Sequence, residues 1–457
     1  MKANDRGSKV SPARAAAFDI LLRVERESSY ASELLHSRTY ASLTIADHSL
    51  ATELVMGVLR WRSLLDFRIS ESSSQALARL DLEILTALRL ALYQLLYLDR
   101  IPARAAINES VELVKRARKR SAASFVNAVL RKLAAAAFNS PSLAEVASVE
   151  KLALYSANPL WLVERWFENY GNEAAREICR YNQSAPTTVI RLRHPDAESR
   201  LRSEGIELAP GAFLASARRV THGDITKTAA FRSGLCVIQD EASQLVAALV
   251  GTGQHMLDCC AAPGGKTLVM SDHNPDAKIT AIDFHPHRAR LLRKLTLVPD
   301  SEALEKSQID VVAADARSLP FAAKFDRVLA DVPCSGTGTL ARNPEIKWRL
   351  KCDDLLELQA RQIAILRSAM AQVSAGGRIV YSTCSLEPEE NEDVVEKALA
   401  EEPAFRVIDC AIELQRLRHE GEFTSSKSMS PIRGLYLRTL QGVHPCDGFF
   451  AATLEKA

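Results

Sequence analysis

Apolar residues in the first third of the chain recur at steps of three and four. Ala16, Ile20, Leu21 and Val24 form one such set, and Leu50, Leu54, Val55 and Val58 form another. This spacing puts each set on one face of a helix, and Pro12 suits a helix N-terminus. Residues 82–98 are apolar nearly all round, as at the centre of a bundle. With 107–114 and 125–133 they predict an all-helical domain over residues 1–140. Between 139 and about 238 the pattern is broken by Pro141, Pro159, Pro186 and Pro195, so helices there are short or interrupted. Trp161, Trp166, Phe167 and Tyr170 sit at helical spacing in this stretch and read as a small core more readily than as a base-stacking surface. Residues 141–238 are expected to be an α/β connector with a small subdomain that leads into the sheet, and RNA binding is the role expected of it.

From 239 onward the period alternates. Strand-like runs at 256–258, 279–283, 311–315, 327–332, 378–382 and 449–454 are separated by helix-like runs at 287–297, 354–373 and 389–399. Alternation of this kind predicts a doubly wound, Rossmann-like α/β domain over 239–457. The last strand is placed near a sheet edge by its position in the chain.

Composition narrows the picture. A chain of 457 residues is too long for one core. Its net charge of +2 excludes a global basic field, so nucleic-acid contact must come from local patches. The strongest is Lys115, Arg116, Arg118, Lys119 and Arg120, which reads either as a solvated helix end or as a phosphate-contacting surface. Nine cysteines without a CxxC pair suggest neither zinc nor a disulfide framework. No metal is expected. Free thiols, no signal-peptide pattern and no apolar run near 20 residues predict a cytoplasmic protein without a membrane segment.

The chemistry concentrates after the first strand of the α/β domain. Met256 and Leu257 lead to Asp258, then to the small residues Cys260, Ala261, Ala262, Pro263, Gly264 and Gly265, and Lys266-Thr267 opens a helix. Such a loop admits a nucleotide-like ligand close to the backbone. Cys260–Thr267 is a near miss to the phosphate loop G-x-x-x-x-G-K-[ST], but Pro263 removes a backbone N–H that a phosphate would need. A nucleoside donor such as S-adenosylmethionine fits better, with Asp283 at the end of the next strand for its ribose hydroxyls.

Cys334 and Cys384 each follow a strand, on the same rim as that loop, and Asp331 precedes the first of them. Either cysteine alone would read as a small buried hydrophobe. Together they suit methylation of pyrimidine carbon 5, where a thiolate adds to carbon 6 and turns the ring into an enamine. Asp331 can orient ring nitrogen 3 and the exocyclic amine of cytosine. An ordinary thiol is only about 3% thiolate at pH 7, so such a site must promote ionisation.

Residues 51–62, 101–115 and 125–133 resemble the helical domain of the NusB family. QDEAS (239–243), LDCCAAPGGKT (257–267), DVPCSGTG (331–338), RNPEIKW (342–348), STCSLEPEENE (382–392) and DGFF (447–450) resemble the Sun family of RNA cytosine-carbon-5 methyltransferases. The resemblance implies S-adenosylmethionine as methyl donor. The implied substrate is a single-stranded or flipped-out cytosine of small-subunit (16S) ribosomal RNA, acted on by a monomer. It implies Cys384 as nucleophile and Cys334 as the residue assisting release. The methyl-donor site is implied to be Cys260–Lys266 with Asp283 at the ribose, Asp315 by the adenine, and Asp331 near both methionine and base. Lys266 is implied to contact the base, and the helical domain and Arg342 to contact RNA. Arg193, Cys259 and the stretch 294–297 depart from the family pattern. A non-catalytic RNA-binding assembly factor and a P-loop nucleotide hydrolase are the competing readings.

Overall fold

A computed structural model describes residues 10–27, 29–136, 141–296, 308–425 and 429–457. The chain forms two compact units, residues 1–185 with 340–349, and residues 186–339 with 350–457.

The first unit is built from α1 (Pro12–Glu27), α2 (Ala31–Leu35), α3 (Ile45–Ser72), α4 (Leu82–Tyr97), α5 (Ala103–Arg116), α6 (Ala123–Ala135), α7 (Val149–Tyr155) and α8 (Leu160–Asn182). The three-and-four spacing is realised as burial: Ile20, Leu54, Val55, Leu88, Leu90 and Leu92 are all fully enclosed. α3 is capped by Thr44, whose hydroxyl accepts from the Asp47 N–H at 3.1 Å. Two buried arginines of the bundle are matched by polar partners. Arg14 reaches Gln94 and Glu109, and Arg89 makes a two-pronged contact with Asp66 at 2.6 and 2.7 Å. Of the aromatic cluster read as a small core, Trp166 is fully buried, whereas Trp161, Phe167 and Tyr170 are half-buried. The sequence places the end of the helical domain at 140, whereas α7 and α8 group with this unit and the break falls at Ala185/Pro186. The prolines at 141 and 159 precede helices instead of ending the bundle.

Residues 340–349 leave the second unit to join the first. Lys347 is 2% exposed, and its ammonium donates to the carbonyls of Arg60 (3.0 Å) and Ala157 (2.5 Å) and to Asn158 Oδ1 (3.2 Å). The Trp348 indole donates to Leu59 O, and Arg349 to Val24 O and Ser29 O. Burial without a carboxylate partner pulls the Lys347 pKa down to about 7.

The second unit holds two sheets. The smaller is antiparallel, in order β2-β3-β1-β4, from β1 (Val189–Leu192), β2 (Glu207–Pro210), β3 (Ala217–His222) and β4 (Cys236–Ile238). The larger contains β5 (His255–Asp258), β6 (Lys278–Asp283), β7 (Gln308–Ala313), β8 (Phe325–Asp331), β9 (Val373–Thr383), β10 (Phe405–Ile408), β11 (Ile432–Arg433), β12 (Tyr436–Thr439) and β13 (Phe449–Lys456). Its order is β11-β12-β13-β9-β8-β5-β6-β7, with β10 also on β13. β5 through β9 run parallel, and β13 is antiparallel to β9.

Three expectations are corrected. β13 is not an edge strand: it pairs with β9, β12 and β10, and Phe450, Ala451, Ala452 and Leu454 are fully buried. β7 ends at Ala313, which leaves Asp315 in the following loop. The helix expected to reach 373 stops at Met370, where β9 begins three residues later. Leu297, the last residue of the helix expected at 287–297, lies outside the described residues.

Candidate active site

β5 lies between β6 and β8, so the chain moves outward in opposite directions from it. The loops after β5 and β8 diverge there, and that crevice is where open α/β sheets bind ligands. The register brings the chemistry together. Asp258 is level with Leu329, and Asp331 with Ser382. The two cysteine loops therefore leave neighbouring parallel strands at the same height, and the Val332 N–H donates to Ser382 O at 3.0 Å.

Cys334 Sγ and Cys384 Sγ stand 3.3 Å apart, both partly exposed. Contact with Cys384 and desolvation push the Cys334 thiol well above its ordinary value. Beside them, Lys266 Nζ is 2.7 Å from Asp331 Oδ2, and Ser382 Oγ donates to Asp331 Oδ1 at 2.7 Å. Burial alone would lower the Lys266 pKa, but Asp331 outweighs it and the net shift is upward. The ammonium also lies 4.9 Å from the centre of the Phe449 ring. Asp331, Lys266, Cys334 and Cys384 thus form one cluster.

The loop from Cys260 to Gly265 is held by backbone bonds on both sides. Cys259 N–H donates to Leu329 O, and Ala261 N–H to Ile282 O at 2.7 Å. The Ala262–Pro263 peptide is cis. Gly264 has φ +120°, open to glycine, and a Cβ there would sit 2.7 Å from Leu292 Cδ1. Cys260 is pushed upward by burial and neighbouring carboxylates, as expected of an unreactive thiol. Beneath the loop, Asp258 is 1% exposed and burial raises its pKa to about 7. Thr267 Oγ1 donates to one of its oxygens at 2.7 Å, and the Cys260 N–H and Lys266 partly offset the burial.

Asp283 closes β6, is 5% exposed, and accepts from the His285 N–H at 2.9 Å. Asp315 is paired with Arg317, which holds its carboxyl below the usual range. Lys115 is matched by Glu112 and Lys119 by Asp81, while Arg116, Arg118 and Arg120 are exposed. Arg342 belongs to the first unit, in the 340–349 segment. Sequence reasoning gave no role to Asp258, Ser382, Phe449 or Glu390, although each lies in one of the quoted motifs. Glu390 is one of four acids between 387 and 392, and it shares complete burial with Glu387; only its four hydrogen-bond donors set it apart.

An all-helical bundle followed by a mixed sheet, whose parallel strands carry the two cysteine loops at the switch point, is the architecture of a helical domain joined to a doubly wound α/β domain of the methyltransferase class. The family described as 16S rRNA methyltransferase RsmB/F matches residues 248–455, and the NusB family matches residues 11–135. The chain is 33% identical to "Probable ribosomal RNA small subunit methyltransferase B" of Bacillus subtilis (strain 168), over 98% of this chain and 99% of that protein. It is 32% identical to the ribosomal RNA small subunit methyltransferase B of Pseudomonas putida, over 90% and 91%. The crystal structure of PH0851 shares the fold, with a TM-score of 0.77 at 23% identity over 98% and 99% of the two chains. The chain belongs to the RsmB/F family of ribosomal RNA small-subunit methyltransferases. No helix among the described residues is long and apolar enough to cross a membrane, and the described residues contain no His, Cys, Asp or Glu group able to hold a metal.

Proposed function

We propose that this protein transfers a methyl group from S-adenosylmethionine to carbon 5 of a cytosine in small-subunit ribosomal RNA, through a covalent adduct between Cys384 and carbon 6. The observation that carries this reading is the pair of thiols 3.3 Å apart beside the Lys266–Asp331 ion pair.

The donor site fits the residues present. Gly264 and Gly265 keep side chains off the backbone of the loop, and Asp283 ends β6 beside them. Cys260–Lys266, Asp283, Asp315 and Asp331 would hold the donor, with Asp283 at the ribose and Asp315 at the adenine. When bound, S-adenosylmethionine supplies an electrophilic methyl group.

The chain's own residues do the rest. The Cys384 thiolate adds to carbon 6, and the ring electrons move to carbon 5, making it nucleophilic. Asp331 and Lys266, held together at 2.7 Å, orient the base edge and offset the charge that develops on it. After methylation the carbon 5 proton passes to the Cys334 sulfur, its electron pair restores the carbon 5–carbon 6 double bond, and the carbon 6–sulfur bond breaks with Cys384 leaving as thiolate. Cys334 assists this elimination. Stacked cytosine hides carbon 6, so the target must be unpaired or flipped out. Lys115, Arg116, Arg118, Lys119, Arg120 and Arg342 are the proposed RNA contacts of a cytoplasmic, monomeric enzyme.

Cys384→Ala should abolish methyl incorporation into ribosomal RNA. Cys334→Ala should accumulate an RNA–protein adduct that survives denaturing electrophoresis. An adduct that persists in Cys384→Ala and needs Cys334 would reverse the two roles.

A further inference from the structure

Glu390 is fully buried, and four donors converge on its carboxylate. Oε1 accepts from the Ser335 N–H at 2.8 Å and from Gln362 Nε2 at 2.8 Å. Oε2 accepts from the hydroxyls of Ser335 and Ser385, which are themselves 3.0 Å apart. Ser335 directly follows Cys334, and Ser385 directly follows Cys384. One side chain therefore grips the residue after each reactive cysteine, in loops about fifty residues apart in sequence. Gln362 extends the grip, since its amide also donates to Pro333 O at 3.0 Å. The Tyr381 hydroxyl fixes the clamp's own backbone by donating to Glu390 O at 2.6 Å.

Charge-assisted hydrogen bonds are shorter and stiffer than neutral ones. A buried carboxylate is tolerated only while its donors remain in place. The two loops are thus tied to one centre and cannot drift apart without stranding that charge.

We infer that Glu390 is a positioning residue that sets the separation of Cys334 and Cys384. No hydrogen bond joins it to either thiol, although its charge adds to the upward push on the Cys334 thiol. It acts by fixing the two peptides that follow them, so that one sulfur can engage carbon 6 while the other faces the neighbouring carbon 5. The kinetic part of this inference rests on the cytosine reading above, and the geometric part does not.

The test uses the full-length protein. Glu390→Gln keeps the side-chain size and replaces one acceptor with a donor. Dibromobimane, which bridges two nearby thiols, is mapped by mass spectrometry to the Cys334–Cys384 pair. The expected result is a bridging yield lowered roughly fivefold and kcat lowered about tenfold or more, with the KM for S-adenosylmethionine within about twofold of wild type. Ser335→Ala, which removes one donor and keeps the carboxylate, should show a smaller loss of the same kind and stands in if Glu390→Gln does not fold. Bridging and kcat both within about twofold of wild type in the folded variants would overturn the inference. So would unfolding of both variants, or losses matched by donor binding and thermal midpoint. If wild type methylates no cytosine, the function reading fails while the bridging comparison still decides the clamp.

Discussion

A carboxylate in water titrates near 3.9, and at Asp258 burial lifts that value to about 7. The folded protein therefore keeps a proton between about pH 4 and 7 that the unfolded chain has released. Stability is lost as pH rises across that window and is level above it. Asp258→Asn should flatten this slope in urea unfolding followed by circular dichroism, while its amide oxygen still accepts from Thr267. Above pH 7 the variant should be more stable on the order of a few kcal/mol, since one pKa unit is about 1.4 kcal/mol. An unchanged slope would show that Asp258 is not the titrating group. Its motif placed Asp258 at the end of a strand, but only the structure shows its complete burial and the Thr267 hydroxyl donating to it. Cys334 teaches the same lesson, because no sequence spacing reports a thiol 3.3 Å away.

At the scale of elements, three loops meet at Gly338. Its N–H donates to Cys384 O at 2.9 Å, and its own carbonyl accepts from the Gly448 N–H at 2.8 Å. A Cβ at Gly338 would lie 2.0 Å from Gly448 O and 2.9 Å from Cys384 O. Both are backbone atoms, so no side chain can swing aside. Gly338→Ala should destabilise by about 1–3 kcal/mol through overpacking and lower kcat by roughly a hundredfold by displacing the Cys384 loop. Calorimetry and methyl-incorporation rates check both, and wild-type values for either would remove Gly338 from this role. DGFF was legible as a motif, whereas its reason was not: β13 is an interior strand whose entry loop abuts the cysteine loops.

At the scale of the molecule, residues 340–349 depart from the unit that carries the cysteines and are fastened inside the helical one. Lys347 is the fastener, with its pKa pulled down to about 7. Between pH 7 and about 10 the unfolded chain holds a proton there that the folded chain lacks. Stability of the helical unit should therefore rise with pH over that range. All four tryptophans, Trp61, Trp161, Trp166 and Trp348, lie in this unit, so their fluorescence reports its unfolding. The denaturation midpoint should climb from pH 7 to 9 in wild type and stay level in Lys347→Met. A wild-type midpoint that falls over that range would refute the assignment.

Two periodicities were enough to separate a helical region from an α/β region, because the spacing of apolar residues encodes which face an element buries. Glycine and proline positions marked the loop after β5 for the same local reason. Which elements become neighbours is a different matter, since strands pair through backbone groups that every residue shares. The interior place of β13, the capture of α7, α8 and 340–349 by the first unit, and the grip of Glu390 on both cysteine loops were decided by tertiary packing alone. Each depends on contacts between residues far apart in the chain, where local pattern carries no information about distance.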